Sequence, residues 1–158
     1  MTADLFQKLH VLRRDVLGAR DCGRVVIEFE GGPQVPVDLP TARQLADSML
    51  AVVDLPLLGS HGREASADHA GEIIATVLHE DLETGRSHVA ADVALDLAER
   101  VLAMFPAESI FLTNVKPTAD LTQSPHKWAS GRIDAELDAG VAIVSSELVG
   151  IVWVEDRP

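Results

Sequence analysis

The sequence predicts an α+β fold: about four helices packed against a small mixed, mostly antiparallel sheet. Three observations lead there. Four segments carry apolar residues at helical spacing, and short alternating or β-branched runs lie between and after them. The order is αββα, then ααβ, a loop and ββ, so helices and strands are partly segregated rather than strictly alternating as in a doubly wound parallel fold. The chain of 158 residues is 47% hydrophobic, enough to bury a core without disulfide or metal staples.

The spacing predicts a first helix over residues 3–18. Leu5, Leu9, Leu12 and Val16 recur at intervals of four, three and four, with Phe6 beside them. This narrow seam covers only about two heptads, too few to be stable alone, so it needs an apolar partner from this chain or another. Residues 24–30 alternate, with Val25, Ile27 and Phe29 on one side and Val26, Glu28 and Glu30 on the other, as in a half-buried strand. Gly31-Gly32-Pro33 reads as a turn and Gln34 to Asp38 as a return strand, confined to an edge by Pro36. Residues 40–53 form the clearest helix, with Ala42, Leu45, Ala46, Met49, Leu50 and Val53 on one face.

Residues 57–66 are an aperiodic connection. They join an N-terminal αββα portion, 1–56, to a C-terminal portion, 67–158, and the two read as one compact domain. A helix is expected over 67–83, capped by Ser66 and stopped at Gly85, with Ala70, Ile73, Ile74, Val77 and Leu78 inward. Another is expected over 88–105, capped by Ser87 and ended by Pro106, with Val89, Val93, Leu97, Val101 and Met104 inward. Residues 109–113 read as a buried strand. Residues 114–132 show little periodicity, although Ser124-Pro125 suits the start of a short helical turn that Gly131 would stop. Residues 141–145 and 148–154 are either a hairpin turning at Ser146-Glu147 or one long bent strand.

Composition removes several function classes. Net charge is −12, which disfavours general binding to a phosphate backbone. The charge is uneven: residues 1–24 hold five basic side chains against three acidic ones, and the remainder holds eight against twenty-two. A basic helix on an acidic body can dock on that body or on a second copy. The single cysteine, Cys22, rules out an intrachain disulfide framework and a multi-cysteine zinc site. The N-terminus lacks the pattern of a secretory signal. The longest apolar stretch, Gly140 to Val154, is interrupted by Ser145, Ser146 and Glu147 and is shorter than the roughly 20 residues a bilayer requires. The expectation is a cytoplasmic protein with no membrane partner, no nucleic-acid partner and no cofactor.

Motifs for chemistry are incomplete. His69, Glu72 and His79 on one expected helix, with His88 and Asp92 on the next, would make a metal site if the two polar faces met. Their spacing sets them opposite the apolar stripes, so a solvated helix face is the favoured reading. His79-Glu80 is not followed by the second histidine of a metalloprotease motif, Gly31-Gly32 does not form a phosphate loop, and Gly59-Ser60-His61-Gly62 is not a nucleophile elbow. Arg20 and Arg24 would lower the pKa of Cys22 and Asp21 would oppose them, but nothing in the sequence ties this cysteine to a histidine.

The 114–132 segment collects Lys116, His126, Lys127 and Arg132 around Trp128, a grouping that suits an anionic ligand or an acidic patch on a partner. The carboxylate groups Glu80, Asp81, Glu83 and Asp134, Glu136, Asp138 are modest for a nucleic-acid mimic. The leading expectation is therefore a non-enzymatic protein-interaction or assembly module that self-associates, with Leu5, Leu9, Leu12 and Val16 or the 114–132 segment as contact residues. The alternative is a small enzyme in which Lys116, Asp120 and His126 do acid–base work.

Overall fold

The computed structural model describes residues 1–116, 130–131 and 137–156. Its four helices are α1 (Ala3–Ala19), α2 (Leu39–Val52), α3 (Ala67–His79) and α4 (Ala91–Leu102). Its strands are β1 (Arg24–Gly31), β2 (Arg63–Ala65), β3 (Ile110–Thr113), β4 (Ser130–Gly131), β5 (Leu137–Val144) and β6 (Leu148–Asp156). The sheet runs in the order β1-β6-β5-β3-β2, with β4 paired to the start of β5. Every pairing among the described residues is antiparallel, so the α+β expectation stands.

The sheet has a covering on each face, and the strands' alternation divides it. Ile27, Phe111, Val141, Ile143, Val152 and Val154 meet Leu9, Leu12 and Val16 of α1 together with the apolar faces of α3 and α4. Val26, Leu112, Ala142, Val144, Val149, Ile151 and Trp153 meet Ala42, Ala46, Met49 and Leu50 of α2, with Leu55 and Leu58 closing that layer. Strands buried on both faces read as continuous apolar runs. This is why β5 and β6 carry no alternation and left hairpin and single strand equally open. They form a hairpin, with Ser145 Oγ accepting from the backbone N of Glu147 and Leu148 at the turn.

Four expectations at the element level need correction. Gln34 to Asp38 do not form a strand. Pro33 and Pro36 remove two ladder donors, Gln34 has a φ of +62°, and the segment is tied back by Gly32 N to Glu147 O and Gln34 N to Ser146 O. β1 pairs along its whole length with β6 instead. The 57–66 connection contains β2, three residues long and too short to show a pattern. The third helix ends at His79 rather than 83, because the Asp81 carboxylate accepts from the backbone of Glu83 and Thr84 and builds a turn there. Ser66 does cap it, but Ser87 caps nothing: His88 N and Val89 N bond to His79 O, and α4 begins after Ala90. Among the described residues no helix is long and apolar enough to cross a membrane.

Candidate functional site

The N-terminal seam lies inside the molecule. Leu9, Leu12 and Val16 are buried in the core, and Leu5 is half-buried against it. α1 therefore docks in cis, and its apolar seam is closed to a second chain while the helix is seated. The docking is reinforced by charge: Arg13 pairs with Glu28 at 2.8 Å and Arg100 of α4 pairs with Asp15 at 2.7 Å. What α1 leaves outside is Phe6, 64% exposed, with Met1 beside it. Together with Leu9, His10, Arg13, Glu28 and Phe29 they line a cleft of about 270 Å³ between α1 and β1.

Among the described residues β1 is a sheet edge. The bond from Gly32 N to Glu147 O sets the parity of the ladder. In an antiparallel pair, alternate residues then turn their backbone groups outward, namely Val25, Ile27 and Phe29. Arg13 Nε donates to Ile27 O on that rim at 3.1 Å.

The helical histidines do not form one site. His69 sits in the first turn of α3, its Nδ1 3.8 Å from Glu72. His79 sits at the other end, where Nδ1 donates to Val89 O at 2.5 Å. Asp92 is exposed and its carboxylate accepts from Val93 N. His88 precedes α4 and lies 3.6 Å from Asp81. His69 and His79 thus stand at opposite ends of α3, and His88 lies before the first turn of α4.

His69 has a second feature: its Nε2 is shielded and has no hydrogen-bond partner among the described residues. It lines a cleft of about 200 Å³ with Arg63, Glu64, Ser66, Thr113 and Val115. Lys116 is exposed at the adjoining end of the described chain. Asp120, His126, Lys127, Trp128 and Arg132 lie outside the described residues, as do Asp134 and Glu136. Asp138 is buried, and accepts from the indole N–H of Trp153 at 2.9 Å; it contributes nothing to an acidic surface.

A third locus was split in the sequence and is assembled by the fold. Arg20, at the end of α1, is buried against Asp156, at the end of β6. Its Nη1 and Nη2 donate to the two carboxylate oxygens at 2.8 and 2.6 Å. The same guanidinium donates to Cys22 O and Glu80 O, and Leu82 N donates to Asp156. Arg20 thus ties three chain segments together. Around it, ligating atoms of Asp21, Cys22 and His88 lie within 4.8 Å of one another, and so do those of Cys22, Asp81 and Asp156.

The Cys22 thiol is pushed up from its ordinary value, chiefly by burial; Arg20 opposes this, and Asp156, Asp81 and Asp21 add to it. The expected lowering by two arginines fails because Arg24 turns away to Glu155 and Val53 O. Burial would also raise the Asp81 carboxyl, but bonds from Thr84 and Glu83 and the nearby His88 outweigh it and hold it low.

Comparison of the chain with protein-family models, curated proteins and solved structures finds no match.

Proposed function

We propose that this chain is a self-associating interaction module whose contact surface is the β1 edge of the sheet. The observation that carries this reading is the eight-residue edge strand with an outward rim at Val25, Ile27 and Phe29, flanked by exposed Phe6. Long edges present unpaired backbone groups that pair readily with another strand. The occupant that suits this edge is a second copy. Two β1 strands placed antiparallel about a two-fold axis at Ile27 set Arg24 opposite Glu30 of the other copy and Val25 opposite Phe29. Opposite charges and apolar pairs at directly facing positions are the favourable combinations, and a two-fold axis makes each contact twice. Arg13 guards the rim; on pairing it leaves Ile27 O and keeps its ion pair with Glu28.

The test is the solution mass of the wild-type protein against Val25→Pro. Proline there removes an outward N–H and adds bulk to the rim while leaving the β6 ladder intact. A wild-type mass of twice 16.9 kDa that halves in the variant supports the reading. A wild-type monomer at the highest soluble concentration removes it.

The His69 cleft favours a second reading, a small-ligand or acid–base site beside Lys116. A shielded ring nitrogen without a partner among the described residues is the supporting observation. The cleft's volume falls below the ~300–1,000 Å³ common for ligand sites, which is why this reading stands second. Chemical-shift changes at His69 on screening small anions, absent in His69→Gln, would move it first.

A further inference from the structure

We propose that Cys22, His88 and the carboxylates of Asp21 and Asp81 form a binding site for a transition-metal dication of the zinc type. The site does not depend on self-association. Its donor set is a thiol, an imidazole and two carboxylates drawn from the α1–β1 link and from the two ends of the 81–88 turn. Sulfur and nitrogen donors select zinc-like ions over magnesium and calcium, which prefer oxygen alone.

Geometry brings these donors close. Asp21, Cys22 and His88 converge within 4.8 Å, Cys22 and Asp81 do so in a second grouping, and Asp81 Oδ2 stands 3.6 Å from His88 Nε2. Tetrahedral ligands at ~2.0–2.3 Å from a metal lie roughly 3.3–3.8 Å apart; Asp81 and His88 already stand at that spacing, and Cys22 and Asp21 would close on the ion from within the 4.8 Å grouping. Within the described residues the Cys22 sulfur, the Asp21 carboxylate and the His88 ring make no hydrogen bond to one another.

The surroundings fit the same reading. Asp81 spends Oδ1 on the backbone of Glu83 and Thr84, which fixes its orientation and leaves Oδ2 toward His88. Asp156 is not a ligand: both of its oxygens are taken by Arg20 and Leu82 N. Its role is to hold Arg20, which in turn holds Cys22 O and Glu80 O, so the two ligand-bearing segments are positioned from behind. Outer-shell bonds of this kind orient ligands and tune affinity. Asp21, Asp81 and Asp156 outnumber the single Arg20 guanidinium among them, so a dication relieves an excess of negative charge. On binding, the sulfur–hydrogen bond of Cys22 breaks, its proton leaves to solvent and the sulfur–metal bond forms.

The experiment is titration of the whole protein with cobalt(II), read by absorbance, followed by displacement with zinc(II). The expected result is one equivalent bound, with a thiolate-to-cobalt charge-transfer band that zinc abolishes. Cys22→Ser and His88→Gln lose the band while keeping the wild-type circular dichroism, and Asp81→Asn binds at least about tenfold more weakly. His69→Gln and Asp92→Asn bind as the wild type does. No charge-transfer band in the wild type, or a band that survives Cys22→Ser or His88→Gln, overturns the proposal. So does loss of binding in His69→Gln with His88→Gln unaffected.

Discussion

Arg20 and Asp156 face each other with side chains 0% and 1% exposed, 136 positions apart in the chain. Such a pair is costly to form and more costly to break, because removing one member leaves the other charge buried. Asp156→Asn is therefore expected to lower stability by about 3–5 kcal/mol in urea unfolding, a large share of a typical domain's total. Asp38 acts at the surface in a different way. Its carboxylate caps α2 by accepting from Thr41 N at 2.8 Å, and the bonds from Thr41 hold its pKa below the ordinary 3.8.

A carboxyl depressed by folding stabilises fully above its unfolded pKa, and that contribution is lost as pH falls through the folded value. Acid titration of stability should thus show a loss below pH 3.8 that is smaller in Asp38→Asn, which caps without titrating. An equal acid loss in the variant would show that other carboxylates account for it.

At the scale of elements, α1 is a helix whose apolar stripe is satisfied within the chain. Leu12 is buried between β1 and α4 in the core cluster, so Leu12→Ala should cost about 2–5 kcal/mol of stability. It should leave the mass of the folded protein unchanged, since the seam faces inward. β5 and β6 pack more tightly still. A Cβ at Gly140 would press on Val152 O and on the Trp153 ring. Gly140→Ala is expected to lower the melting temperature, with a cost of about 1–3 kcal/mol from overpacking. It should also disturb the tryptophan fluorescence, because the strain falls on the indole held by Asp138.

At the scale of the molecule, the first strand β1 and the last strand β6 are neighbours, which leaves the outer side of β1 as one end of the sheet. If β1 also pairs with a second β1, association stabilises the folded state by mass action, and the melting temperature should rise with protein concentration. A melting temperature independent of concentration would contradict edge pairing.

Much of the architecture was readable locally. Helical spacing located α1 to α4 because periodic burial of one face leaves a periodic record in sequence, and Ser66 marked a helix start by side-chain chemistry alone. The limits appear where a single residue or a distant partner decides. Asp81 ended a helix that the apolar pattern of 67–83 would have continued, and the Pro33–Pro36 segment is no strand because its prolines remove ladder donors and Gln34 takes a positive φ. The three-residue β2 left no periodic trace. Cys22 and His88 are 66 positions apart, and no spacing rule connects them. They meet because Arg20 binds the end of β6 and the 80–82 segment together. Local periodicity and capping chemistry set the elements, their faces and the α+β class. Which faces meet, which strand becomes the edge and which polar side chains gather at Arg20 follow from long-range pairing, whose energy depends on groups that no stretch of sequence contains together.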